Sequence, residues 1–200
     1  MTSLANALSS LALPDGLHEP LRAFAGLFHK WNQRINLSAA RSESELQDHI
    51  VDCLALVPHL RAAAAAPARR PLHVLDVGSG GGLPGVVVAI CAPDLHVTAL
   101  EPIHKKHAFL RTAARELALA NLAPLAQRIE DHPRRDYAAV MSRATLDLRD
   151  WLALGLGYVE PHGFVFGFEA ILRNDLPSNI TRHPYTHLGK SRAIVALQKR

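Results

Sequence analysis

Cysteine is scarce in this chain: Cys53 and Cys91 are the only two in 200 residues. Both sit in apolar surroundings, with no C-x-x-C and no zinc-type spacing. A disulfide framework and a thiolate metal site are therefore excluded, and reduced, packed thiols are expected. Long hydrophobic runs are also missing. None approaches the roughly 20 apolar residues of a membrane span. The opening stretch MTSLANALSSLALPDGLHEP has neither a basic leader nor a long apolar centre. It is expected to be mature sequence of a cytoplasmic protein, not a signal peptide. Nor does one sign of charge dominate: 22 Lys and Arg stand against 18 Asp and Glu, a net charge of +4. That mild bias is compatible with a polyanionic partner without demanding one. The 12 histidines add latent charge below about pH 6.5. His104 and His107 share a helical face but lack a third ligand, so no metal is expected.

What remains is a globular composition, 48% apolar and 20% charged, in a chain long enough to bury a core without staples. Residues 19–31 place Leu21, Phe24, Leu27, Phe28 and Trp31 at helical spacing. Residues 43–60 repeat the pattern, with Ser42 as N-cap and Glu45 completing a capping box. Residues 1–60 thus read as an N-terminal helical cap. Residues 61–71, RAAAAAPARRP, read as a linker. From 72 the rhythm becomes strand, glycine turn, helix, strand. Strands are expected at 72–77, 96–101, 123–129, 137–144, 163–170 and 193–197, with helices at 84–92, 104–120 and 145–159. This alternation predicts an α/β, doubly wound, mostly parallel sheet over 72–200, packed with the cap as one compact unit.

The turn after the first strand, VLDVGSGGGLPG (74–85), carries the chemistry. Gly80, Gly82 and Gly85 fit the dinucleotide pattern G-x-G-x-x-G. Asp76, Gly78, Gly80 and Gly82 fit an acidic-x-G-x-G-x-G pattern that suits S-adenosylmethionine. In such sheets the ligand lies beyond the C-terminal strand ends, and an acid at the end of the next strand grips the ribose. Glu101 stands at that place, and serves either cofactor. Asp76 decides between them, because a carboxylate there suits the α-ammonium of a methionyl group and repels a pyrophosphate. The glycine cluster suits a loop wrapping a sulfonium chain, and the strands after the turn are needed to complete one sheet. A class I S-adenosylmethionine-dependent methyltransferase, Rossmann-like, is the reading.

Several segments occur in one order: HKWNQRINLSAAR (29–41), DHIVDCL (48–54), DVGSGGGLPG (76–85), KKHAFL (105–110), RIE (128–130) and SRA (142–144). Together they resemble the RsmG family, also called glucose-inhibited division protein B, over roughly residues 24–170. The resemblance implies methylation of nitrogen-7 of a guanine in 16S ribosomal RNA. It implies that Gly78, Leu83, Glu101, Ile129, Glu130 and Arg143 line the cofactor site, joined by Asp76 and Gly80. Lys30, Trp31, Asn32 and Asn36 match the N-terminal signature, which looks like part of an RNA-facing cap. His49 and Asp52 match an H-x-x-D segment. The chain departs at FGFEA (166–170), where the family commonly reads A-L-K-G, so Glu169 stands in place of a lysine.

Nitrogen-7 carries a free lone pair, so its methylation needs alignment and no general base. The segment after the fourth strand, Met141 to Ala144, has neither the Asn/Asp-Pro-Pro-aromatic device of exocyclic-amine methylation nor the cysteine of pyrimidine carbon-5 methylation. Arg143 is the expected catalytic residue, forking onto oxygens of the RNA backbone or of the cofactor carboxylate. Phosphate contacts are expected from Lys30, Arg34, Arg41, Lys105, Lys106, Arg111, Arg134 and Arg135. Trp31 could stack on a base, though its register with Phe24, Leu27 and Phe28 favours core packing. The expected partner is ribosomal RNA or the small ribosomal subunit, with no membrane, and the protein is expected to be a monomer. A diverged enzyme acting on another RNA or a small molecule, or a non-catalytic cofactor-binding protein, stays open at this level.

Overall fold

The computed structural model describes Leu4, Leu8 and residues 16–40, 42–64, 72–143 and 145–200. Arg41 and residues 65–71 of the expected linker lie outside the described residues, as do most of the first fifteen and Ala144. The strand LHVLDV forms β1 (Leu72–Val77), nearly all buried because a central parallel strand is covered on both faces. Around it lie β2 (Leu95–Leu100), β3 (Leu122–Leu125), β4 (Tyr137–Ser142), β5 (Val159–Glu169), β6 (Thr181–His187) and β7 (Lys190–Gln198), in the order β3-β2-β1-β4-β5-β7-β6. β7 alone runs opposite to the other six strands. The mostly parallel sheet expected from the sequence is therefore present.

Side chains alternate between two cores. One face packs Val74, Val97, Ala139, Met141 and Phe166 beneath a helical layer. That layer comprises α1 (His18–Asn32), α2 (Glu43–Leu54), α3 (Val57–Ala64), α4 (Gly85–Cys91) and α5 (His104–Glu116). Cap residues Leu21, Phe24, Phe28, Leu46 and Ile50 belong to this same core. The other face packs Leu75, Val140, Val165 and Val195 against α6 (Leu148–Gly155) and its Trp151. Trp151 donates its indole N–H to the carbonyl of Phe166 at 2.8 Å, which satisfies its one polar atom in the core.

Several boundaries differ from the sequence reading, each for a local reason. The helix expected over 43–60 breaks at Ala55–Leu56, and Pro58 lies in the first turn of α3. Proline lacks the N–H that would continue the ladder from Leu54, so a new helix must begin. Ser42 caps α2 as expected, accepting the Glu45 N–H at 3.1 Å. Helix α5 stops at Glu116 and not at 120, with Ala118 at φ 52°. Asn121 then ties the following turn, its amide donating to the carbonyls of Ala89 and Leu95, each at 3.0 Å. Strand β3 occupies 122–125 where 123–129 was expected, and a loop follows it. Helix α6 starts later than expected because Asp147 caps it, accepting from Arg149 N at 3.0 Å, and Val159 already belongs to β5. Strand β6, TRHPYTH, was not expected at all. It has no apolar alternation and holds Pro184, tolerated because this is an edge strand. The opposite edge strand, β3, contains Pro124.

The turn from β1 to α4 is clamped by the cap. At Gly81 a Cβ would press into the ring of Phe28, with Cζ at 2.8 Å, and would crowd Leu37. Phe28 is buried on α1, edge-on to both Phe24 and Phe109, so it has nowhere to retreat. Gly81→Ala is expected to lower stability by about 1–3 kcal/mol, the usual range for overpacking, and to weaken cofactor binding. Adding Phe28→Leu is expected to recover part of both; urea unfolding and calorimetry check it.

A second cap contact makes the fold acid-sensitive. His59 of α3 stacks on His183 of β6, ring centroids 3.9 Å apart. Burial first, and the neighbouring His183 second, push the pKa of His59 down to about 4. The unfolded chain takes up a proton near pH 6.5 that the folded chain refuses until about pH 4. This contribution is thus complete above pH 6.5 and is lost as pH falls toward 4. Urea midpoints across that window are expected to fall less steeply in His59→Phe than in the parent protein.

Candidate functional site

The C-terminal ends of β1, β2, β4 and β5 meet at one edge of the sheet, where a doubly wound fold binds its ligand. The glycine turn leaves β1 here, with Gly78, Gly80 and Gly82 at positive φ. Gly78 requires the missing side chain twice over, since at φ 67° its Cβ would also collide with Thr145. By contrast the space at Gly80 is open, with nothing but the Gly78 carbonyl, at 3.8 Å, near a Cβ placed there. A ligand backbone can approach at that point.

Glu101 directly follows β2 and is buried. One carboxylate oxygen accepts from Gly80 N at 2.8 Å, and the other from Ile103 N at 2.8 Å. Each oxygen keeps a lone pair for a ribose hydroxyl. The acid expected to grip the ribose therefore also fixes the glycine turn. Asp76, whose spacing suggested the α-ammonium of a methionyl group, is bonded within the turn itself. It is wholly buried beneath the turn. Its Oδ2 accepts from Ser79 Oγ and, at 3.0 Å, from Gly85 N, so it ties the turn's start to its end. Its Oδ1 is buried without a partner. Burial raises its pKa to about 6, against the lowering effect of the Ser79 and Gly85 bonds. Enclosed in this way, Asp76 holds the turn in shape.

Leu83 closes the turn, its peptide to Pro84 cis. Ile129 is buried in the loop after β3, and its carbonyl accepts from Tyr158 Oη at 2.7 Å. Glu130 beside it is exposed. Gly78, Gly80, Leu83, Glu101 and the 129–130 loop thus border the same strand ends. The open space at Gly80 and the paired Glu101 carboxylate fit an adenosine and a slender chain without phosphates.

Beside this groove lies a cavity of about 780 Å³, lined by α2, by the segments after β4 and β5, and by the β6–β7 turn. Its wall is bonded to the strand that leads into the glycine turn: Ser142 Oγ and Thr145 Oγ1 donate to the carbonyl of Val77 at 2.9 and 3.1 Å. Arg143 lines the cavity. Its Nη1 donates to Asp52 Oδ2 and to the carbonyl of His49, each at 3.3 Å. Asp52 also receives Tyr185 Oη at 2.8 Å and Arg192 Nη1 at 3.0 Å, both on Oδ1. His49 and His187 line the cavity too, and burial, with smaller help from Arg143 or Arg192, holds both below the usual histidine pKa. Cys53 lies behind Arg143, and burial pushes its thiol up to about 12, so it is an inert packing group.

Glu169 also lines the cavity, but its charge is answered. Arg182 donates Nε at 2.8 Å and Nη2 at 3.0 Å, and Arg173 N adds a third bond at 2.9 Å. Burial, the largest single influence, raises this carboxyl; the Arg182 fork and the Arg173 backbone bond together outweigh it and hold it below its usual range.

The RNA candidates divide. Lys30 and Arg34 are exposed at the end of α1, and Lys105 is exposed in the first turn of α5, with Lys106 half-buried. Trp31 packs on Phe109 at 5.6 Å, which sets these two helix ends against each other. Asn32 is engaged within the cap: its Oδ1 accepts from Leu37 N and Ser38 N, and its amide donates to Ala40 O. Arg134 pairs with Asp136 at 2.6 Å, and Arg135 lies 3.9 Å over the Tyr158 ring. The sequence reading missed Trp151, Tyr185 and Arg192 as cavity neighbours. Strand alternation alone could have assigned Arg192 a face, though not a partner. Among the described residues no group of three His, Cys, Asp or Glu is placed to hold a metal, and no helix is long and apolar enough to cross a membrane.

Comparison with known proteins agrees with this geometry. Solved structures with the same fold include the tRNA (m1A58) methyltransferase TrmI from Aquifex aeolicus, with a TM-score of 0.53 at 13% identity over 72% of this chain and 69% of that one. TrmN from Thermus thermophilus gives 0.54 at 20% identity over 84% and 53%. Curated relatives named ribosomal RNA small subunit methyltransferase G are much nearer in sequence. The Burkholderia ambifaria protein (strain AMMD) is 39% identical over 176 residues, 84% of this chain and 74% of that protein. The Burkholderia pseudomallei protein (strain 1106a) is 41% identical over 167 residues, 80% and 70% respectively. A family model, GidB, described as rRNA small subunit methyltransferase G, matches residues 17–186. With a methyltransferase fold, a glycine turn braced by Glu101 and this extent of agreement, the chain belongs to the GidB family of small-subunit ribosomal RNA methyltransferases.

Proposed function

We propose that the protein transfers a methyl group from S-adenosylmethionine to nitrogen-7 of a guanine in small-subunit ribosomal RNA. The observation that carries this reading is the cavity at the end of β4, hydrogen-bonded through Ser142 and Thr145 to the strand that enters the cofactor turn. Bound there, the cofactor supplies an electrophilic methyl carbon on a sulfonium. Gly78, Gly80, Leu83, Glu101 and Ile129 would hold its adenosine and chain. The chain's own part is positioning: a base in the cavity, with its ring nitrogen toward the groove, meets the methyl in line. No proton has to leave nitrogen-7 first, so no general base is required. This agrees with a cavity whose buried carboxylate, Asp52, is tied to two arginines. Lys30, Arg34, Lys105 and Lys106 form the outer phosphate contacts, which position the RNA without reading its sequence.

The test is tritium transfer from labelled S-adenosylmethionine to small subunits that lack the modification, with the product mapped by nitrogen-7-specific cleavage. One labelled guanine is expected. Bound cofactor without transfer to subunits or their RNA would mean a different substrate.

Glu169 sharpens the point. A lysine there would face Arg182 and the Arg173 backbone. Glu169→Lys is therefore expected to lower stability by roughly 2–3 kcal/mol, less than for a fully buried pair because Arg182 is 33% exposed. Methyl transfer should fall with it. The swap Glu169→Lys with Arg182→Glu should recover much of the stability, as a double-mutant cycle in urea would read. A single Glu169→Lys variant with raised ribosomal RNA activity would instead mark this chain as diverged from its relatives' substrate.

A further inference from the structure

The cavity contains an arginine that none of the sequence motifs includes. Arg192, on β7, lines the cavity together with Arg143 from the end of β4. A single carboxylate separates them: Asp52 accepts Arg192 Nη1 at 3.0 Å on one oxygen and Arg143 Nη1 at 3.3 Å on the other. Asp52 is buried, 5% exposed at its side chain, whereas Arg192 and Arg143 are 26% and 18% exposed. Two guanidiniums on one carboxylate leave one positive charge uncompensated. Other acids of the cavity wall face their own arginines: Asp147, together with Asp175, pairs with Arg173, and Glu169 pairs with Arg182. Asp48 and Glu45 lie farther along the same face of α2. Arg192 uses only Nη1 on Asp52, and its Nε is buried with no acceptor. A buried donor without an acceptor is unfavourable.

We propose that Arg192 and Arg143 form a clamp for one phosphodiester of the RNA strand whose base enters the cavity; the clamp rests on the substrate reading given above. A phosphodiester carries one negative charge, which balances the charge left by Asp52. Its two free oxygens suit two forks held apart by a shared carboxylate. A neutral base edge would leave the charge standing. Asp52 is then a positioning residue: it fixes both guanidiniums before the RNA arrives, so they need no ordering on binding. Tyr185 Oη, at 2.8 Å from Asp52, keeps that carboxylate in place from β6.

The test measures binding of protein-free small-subunit RNA, and of a generic single-stranded oligoribonucleotide, across a range of salt concentrations, with the full chain holding S-adenosylhomocysteine. A phosphate contact contributes about 0.7 to the slope of log affinity against log salt on a single strand. Arg192→Gln is expected to flatten the slope by about that amount and to weaken RNA binding roughly tenfold or more. Its cofactor affinity by calorimetry should stay the same. Arg192→Lys keeps the ion pair with Asp52, and so guards against a mere folding defect. It should preserve the slope while still binding RNA more weakly, because a point charge cannot fork. A slope unchanged in Arg192→Gln, or parental RNA binding by Arg192→Lys, overturns the clamp. So does a loss of cofactor affinity with RNA binding intact, which would make the anion the cofactor's carboxylate. If the parent methylates no ribosomal RNA but Arg192→Gln still flattens the slope on the oligoribonucleotide, the clamp stands and the ribosomal assignment falls. A parent without salt-dependent binding to either RNA overturns both.

Discussion

The carboxylate of Asp52 is the point on which three parts of the molecule converge. It belongs to helix α2 of the cap, yet its partners come from the end of β4 and from the β6–β7 hairpin. A charge this buried is tolerated only with full hydrogen bonding, and taking away one partner of such a pair commonly costs about 3–5 kcal/mol. Arg143 therefore does not sit at the sheet edge as a free side chain. It is aimed by the cap, and the cap is held to the sheet by the same bonds. The cofactor groove depends on this arrangement in turn, because Ser142, just before Arg143, anchors the end of β4 to Val77, where the glycine turn begins.

How much of this was legible in the sequence follows from how local each feature is. The β1 strand, the glycine turn and Glu101 could be read directly, since their spacing is fixed by one βαβ unit and the Gly80–Glu101 bond closes within it. The Ser42 cap was legible for the same reason. The Asp52 assembly was not. Its bonds to Arg143, Tyr185 and Arg192 span 91, 133 and 140 residues, and no short pattern encodes them. Asp76 was legible as important but not as a brace. Whether an acid beneath a glycine turn faces a ligand or the turn depends on Ser79 and Gly85 turning their donors inward. Strand β6 was hidden by its composition: TRHPYTH has one proline and little apolar character, and it becomes a strand only because β7 lies alongside it.

Glu169 shows how a departure from a family pattern can be absorbed by its surroundings. Read alone, an acid in place of a lysine reverses the charge at the cavity wall. In the fold, the fork of Arg182 neutralises that acid, and Arg173, whose backbone also bonds it, contributes its own guanidinium to the cavity lining. Charge at a site is a property of the assembled neighbourhood, and substitutions are better judged as pairs than singly.

Both open edges of the sheet carry a proline, Pro124 in β3 and Pro184 in β6. Each removes a backbone donor from the edge strand that holds it. A strand from another chain laid against either edge meets a gap in the hydrogen-bonding row. The sheet is thus finished at seven strands. Partial unfolding that bares these margins gives a poor template for the edge-to-edge stacking that seeds fibrils, even though the inner strands are rich in valine and phenylalanine.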